Sequence, residues 1–132
     1  MLATYQALSR IALSEFADIV VDTVLVGGTS LSPNKLRLVL VDRSYLDVWL
    51  SQDGDYAYHW EQRKQRGRLY RWDNAPHHPH VRTFPDHMHD GSEQALVESS
   101  LDPVPQAALR KILDFVRRHL ESTDTDPRQH QP

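Results

Sequence analysis

Two periodicities divide this chain. From Ala3 to Phe16, and again from Asp102 to Leu120, apolar residues recur at helical spacing, whereas from Asp18 to Asp73 they alternate with a period of two. In the first segment Leu8, Ile11 and Ala12 predict a buried stripe, with Thr4 as candidate cap. In the last, Leu109, Ile112, Leu113, Val116 and Leu120 mark the packed face of a helix that Asp102 caps and Pro103 opens.

Between them, β-branched residues from Asp18 to Val26 read as a strand ended by Gly27 and Gly28. Further strands follow over Leu36–Leu40, Tyr45–Ser51, Tyr56–Glu61 and Arg68–Asp73. Asp53-Gly54 is a strong hairpin signal, and Lys64–Gly67 is another turn. Tyr56, Tyr58 and Trp60 share one face, opposite Ala57, His59 and Glu61. Ala95–Ser100 adds a short extended piece. The expectation is an α+β fold: an antiparallel β-meander of about five strands with an N-terminal and a C-terminal helix packed on it. Residues 1–120 make a single domain, and the polar stretch from Glu121 to Pro132 is expected to be a disordered tail.

Composition narrows the chemistry. With 132 residues, of which 39% are apolar, there is room for one modest core. A net charge of -3 gives no global attraction to nucleic acid, so any basic surface is local. The chain has no cysteine, which excludes disulfides, thiolate nucleophiles and cysteine-ligated zinc. Its start lacks a signal-peptide pattern and no apolar run reaches bilayer length, so a soluble cytoplasmic protein is expected by elimination.

The stretch from Arg71 to Gly91, RWDNAPHHPHVRTFPDHMHDG, concentrates the titratable groups. It holds His77, His78, His80, His87 and His89, punctuated by Pro76, Pro79 and Pro85, which argue against a helix or a central strand through it. Two chemistries compete with a plain solvated loop. His87 and His89, two residues apart, share a face in extended backbone and can chelate a divalent metal such as zinc, with His77 or Asp73 as third ligand. Alternatively His77 and His87 serve as base and acid in phosphodiester cleavage, with Asp73 orienting a histidine and Arg71 holding the phosphate. That route needs no cofactor if RNA supplies its own 2′-hydroxyl. The bland reading pairs Arg71 with Asp73 as a salt bridge and lets Asn74 cap a turn.

The preceding hairpin is locally basic: Arg63, Lys64, Arg66, Arg68 and Arg71 stand against Glu61 alone. Tyr56, Tyr58, Trp60, Tyr70 and Trp72 run through it. Basic and aromatic residues on a sheet are the ingredients of single-stranded nucleic-acid binding, although period-two aromatics are more often a core face. Arg63, Arg66 and Arg68 are candidates for gripping an RNA backbone, with Tyr58 and Asn74 as further substrate contacts.

With these residues in view, the chain resembles the TumE family of toxins from bacterial and archaeal toxin–antitoxin systems. The resemblance is carried by YAYHWE (Tyr56–Glu61), RWDNAPHH (Arg71–His78), TFPDHMHDG (Thr83–Gly91) and VESS (Val97–Ser100). It implies a partner antitoxin with a DNA-binding domain, and its matching positions are Arg71, Asp73, Asn74, His77, His87 and His89. Toxins of this size often resemble messenger-RNA-cleaving ribonucleases, an analogy of class. The leading expectation is therefore a toxin acting as a metal-independent endoribonuclease on RNA. Its alternatives are a metal-dependent hydrolase or nuclease using His87, His89 and His77, and a non-catalytic toxin that binds its target. Self-association into a homo-oligomer is left open.

Overall fold

The computed structural model describes residues 1–122. Helix α1 (Leu2–Glu15) leads into a seven-stranded antiparallel sheet whose strands lie in chain order: β1 (Val20–Val26), β2 (Lys35–Leu40), β3 (Tyr45–Leu50), β4 (Tyr56–Gln62), β5 (Arg68–Asp73), β6 (His87–Gly91) and β7 (Leu96–Glu98). A single helical turn, α2 (Arg63–Arg66), joins β4 to β5, and α3 (Pro105–Glu121) closes the described chain. The α+β meander with a helix at each end is as expected. Among the described residues, no helix is long and apolar enough to cross a membrane. Of the tail expected from Glu121 onward, residues 123–132 lie outside the described residues.

The strand count is the main correction. The prolines that seemed to bar a central strand are confined to the connection between β5 and β6, and Pro85 stands two residues before His87. Beyond it HMHDG is free to pair on both sides, with β5 and with β7. The extended piece expected over Ala95–Ser100 is β7, trimmed to three residues. Two cap readings also shift. Thr4 lies inside α1, whose N-cap is Met1. In α3 it is Pro105, rather than Pro103, that occupies the opening turn, and Asp102 accepts the Val104 amide in the bend before it. Gly54 and Gly67 sit at φ 91° and φ 70°, the left-handed backbone that their two turns require.

Alternation along the strands sorts side chains onto two faces. The helix-covered face holds Leu36, Leu38 and Leu40 of β2, Leu46 and Val48 of β3, Tyr58 and Trp60 of β4, Tyr70 and Trp72 of β5, and Met88 of β6, all buried. Against them pack Tyr5, Leu8, Ile11 and Ala12 of α1 with Leu109, Ile112, Leu113 and Val116 of α3. Trp60 stacks on Tyr70 at 5.2 Å, and Phe115 meets the edges of Trp60, Tyr70 and Trp72. The polar atoms of this core are placed: Trp60 Nε1 donates to Ser44, and the Tyr5 hydroxyl donates to the Asn34 carbonyl while accepting the Leu50 amide.

Candidate functional site

Among the described residues no helix covers the opposite face of the sheet, and here the histidine stretch is assembled. The β5–β6 register sets Arg71 opposite His89, Trp72 opposite Met88 and Asp73 opposite His87. Odd-numbered residues of both strands therefore share the open face, while Trp72 and Met88 go to the core. The connection between the strands folds back over this face. Asn74 braces its start, accepting the Tyr56 amide and donating to the Gly54 carbonyl, and Val81, midway along it, is buried. The Phe84–Pro85 peptide is cis. This path carries His78 over the strand pair, with its ring centroid 4.8 Å from that of His87 and 5.8 Å from that of His89.

The two strand histidines are held in the same way. His87 Nδ1 lies 2.9 Å from the Pro85 carbonyl and His89 Nδ1 lies 2.8 Å from the Glu93 carbonyl. A carbonyl only accepts, so both Nδ1 atoms carry the proton and donate it. Both Nε2 atoms then turn to one carboxylate: His87 Nε2 is 3.1 Å from Asp73 Oδ1 and His89 Nε2 is 3.7 Å from Asp73 Oδ2. Asp73 is further held by the Ala75 amide and by Arg71 Nε. His87 is 2% exposed and His89 4%, so both rings meet these partners largely shielded from bulk solvent. Burial first, and then the neighbouring His87, His89 and His80, push the His78 imidazole below its ordinary pKa.

Arg71 is committed elsewhere than to a phosphate. Its guanidinium makes two hydrogen bonds to Glu93, at 2.9 and 2.6 Å, and one to Asp73 at 3.1 Å. Glu93 chiefly, aided by Asp73, raises the arginine above its ordinary value, and Arg71 in turn lowers Glu93. The network continues across the sheet. Arg71 Nη1 donates to His59 Nδ1, which leaves His59 Nε2 to donate to Glu61. Glu61 also takes Arg63 in a multiply bonded pair, and Arg63 chiefly lowers its carboxyl to about 2.

The predicted site residues are thus divided. Asp73, His87 and His89 come together, and Arg71 and Asn74 support them. His77 lines the same hollow but is exposed, and the ring that reaches the strand pair belongs to its neighbour His78. Tyr58 is corrected outright as a substrate contact. It is 3% exposed on the helix-covered face, where burial, then Tyr5, push its hydroxyl up to about 12. Arg63 is spent on Glu61, and Arg66 follows it in α2. Arg68 has the strand parity of Tyr70 and Trp72, so it leaves β5 on the side away from the histidines.

Glu93, His59 and His78 were missed. Glu93 lies beyond β6 in a turn, and only tertiary structure brings it to Arg71. His59 had a usable signal, since the Tyr56–Glu61 and Arg68–Asp73 hairpin sets it opposite Arg71. Between a helix-like and an extended path for the proline loop, nothing in the residue pattern separated His78 from His77.

The assembled face borders a pocket of about 540 Å³, lined by the histidines, Asp73, Arg71 and Glu93 and flanked by Trp49 and Tyr56. Burial, then Asp86, raise the Tyr56 hydroxyl, which donates to that carboxylate at 2.6 Å. No curated protein and no solved structure matches the chain. The family model described as "Toxin TumE" matches residues 9–120, which takes in all seven strands and the site, and the chain belongs to that toxin family.

Proposed function

We propose that this toxin is an endoribonuclease whose centre is Asp73, His87 and His89, with His78 above them. The observation that carries this reading is the convergence of two buried imidazole Nε2 atoms on one carboxylate at the floor of a pocket. A buried, polar, geometrically fixed cluster of that kind is costly for a fold and is typical of reaction centres. The pocket's volume falls within the roughly 300–1,000 Å³ of small-ligand sites, which suits a nucleotide unit better than a protein surface. Trp49, 42% exposed at the rim, offers a ring on which a base can stack.

Membership of a toxin family implies an antitoxin partner. That partner carries a DNA-binding domain in our reading, and the toxin itself acts on RNA. Two chemistries fit. In a metal-independent route one imidazole takes the proton of the 2′-hydroxyl as it attacks phosphorus, another protonates the departing 5′-oxygen, and the P–O5′ bond breaks to leave a cyclic phosphate. In the other, a bound cation carries the electrostatic load. Arg71, already neutralised by Glu93 and Asp73, acts in both as a positioning residue that holds the carboxylate.

Induced expression tests the reading. His87→Ala and His89→Ala, at expression equal to the parent, are expected to abolish growth inhibition, and the purified parent to cleave RNA that the variants leave intact. Variants as inhibitory as the parent would leave only a toxin that acts by binding.

A further inference from the structure

We propose that His78, His87 and His89 are the ligands of a first-row divalent cation, zinc being the best match, with Asp73 balancing its charge. The ion's part in RNA cleavage rests on the endoribonuclease reading; its binding does not.

The orientation of the rings is the first reason. With Nδ1–H of His87 and of His89 given to backbone carbonyls, each Nε2 presents a lone pair toward an Asp73 oxygen, at 3.1 and 3.7 Å. An Nε2 facing a carboxylate at such range calls for positive charge between them, either a second ring proton or a cation, and two such contacts on one carboxylate focus that charge at one point. A backbone carbonyl on the far nitrogen is also the usual outer support of a metal-bound histidine, fixing its tautomer and raising its basicity.

Spacing is the second reason. Donors about 2.0–2.1 Å from one zinc ion stand roughly 3.0–3.5 Å from each other. The donor atoms of His78, His87 and His89 all lie within 4.8 Å of one another. His87 and His89 belong to a paired strand, whereas His78 rides on the connection, so a small turn of the His78 ring is the movement that closes the set. Three imidazoles leave a fourth position toward the pocket for water or a phosphate oxygen, the arrangement of a catalytic rather than a structural site. Arg71 and Ala75 hold Asp73 from the other side, so the carboxylate is positioned before the ion arrives. Three neutral nitrogen donors favour zinc and its transition-metal neighbours over magnesium or calcium, which take oxygen.

The full chain, stripped with chelator, serves for the test. Zinc titrated by calorimetry is expected to bind one equivalent, and cobalt(II) to give the visible absorption of a low-coordinate nitrogen site. His89→Ala should lose more than about a hundredfold in zinc affinity and His78→Ala at least about tenfold, while His77→Ala stays within about twofold. Because His87 and His89 are buried, circular dichroism confirms that each variant is folded, and the surface variant His78→Ala decides the matter if the others are not. Absence of a cobalt spectrum, or equal losses for His77→Ala and His78→Ala, overturns the proposed ligand set. RNA cleavage that persists in chelator, with no metal bound, overturns the metal site and keeps the ribonuclease. One equivalent bound with RNA left intact upholds the site and overturns the ribonuclease.

Discussion

The two faces of the sheet are made by the same strands and obey opposite rules. On the helix-covered side, Trp72 of β5 faces Met88 of β6 and both vanish into an apolar core. One residue along, on the open side, Asp73 faces His87 and both are as deeply buried, yet by a loop and by one another. The first face is held by area removed from water, which is indifferent to angle. The second is held by hydrogen bonds and charge, which are not. Among the described residues no buried side-chain nitrogen or oxygen lacks a partner, so the polar face is fully satisfied rather than merely tolerated. Damage to the first should therefore cost stability, and damage to the histidine cluster of the second should cost function.

The sharpest contrast comes from Trp60 and His89. Trp60 is completely buried, stacked on Tyr70 and bonded to Ser44, so Trp60→Ala should destabilise the fold by about 3–5 kcal/mol. Urea unfolding followed by tyrosine and tryptophan fluorescence measures this, and the growth inhibition lost with it should return at lower temperature. His89→Ala should instead lose growth inhibition by about a hundredfold or more while its unfolding midpoint moves far less. A His89 variant that unfolds as readily as the Trp60 variant would erase the distinction between the faces.

Arg71 probes the boundary between structure and chemistry. Arg71→Lys keeps a charge but cannot span Glu93, Asp73 and His59 together. A positioning role predicts a loss of turnover by about tenfold with little change in the affinity for RNA. A role in binding phosphate predicts the reverse, a weaker apparent affinity with turnover retained, and RNA-cleavage kinetics at varied substrate separate them.

The contrast between faces also explains what could be read in advance. Period-two alternation exposes the parity of every residue in β2 to β5, so the core leucines and the shared face of Arg71 and Asp73 follow from local pattern. The two helices follow as well, although their first turns do not: Thr4 lies inside α1 rather than at its cap, and in α3 a proline suits several positions. β6 was obscured because its neighbourhood is rich in proline and because two of its three buried residues are histidines rather than hydrophobes. Tyr58 was misjudged for a related reason. An aromatic in a basic hairpin looks the same on either face until the helices show which side they cover. His78 and Glu93 depend on how loops return to the sheet, which is a property of tertiary packing and leaves no periodic trace.

At the other end of the open face, Asp47 gives a smaller effect of known sign. It lies in β3, 9% exposed, and receives Lys35 Nζ at 2.8 Å and Arg37 Nε at 2.8 Å from β2. Burial by itself would raise this carboxyl, but Arg37 and Lys35 outweigh it and keep the group below its ordinary value. A carboxyl whose folded pKa is depressed adds stability above its unfolded value, about 3.9 for aspartate, and that contribution drains away as the pH falls through the lower folded value. Asp47→Asn should therefore destabilise the protein by about 1–3 kcal/mol at neutral pH, since two cations lose their acceptor. The gap between parent and variant should narrow steadily below about pH 4. Urea midpoints of both proteins measured from pH 7 down to pH 3 check the sign. RNA cleavage by Asp47→Asn at neutral pH should match the parent, because this ion-paired end of the face lies two strands from Asp73. A gap that widened in acid would mean that Asp47 is held protonated by its burial. The polar face would then be stabilised at this end, like the opposite one, by the exclusion of water rather than by charge.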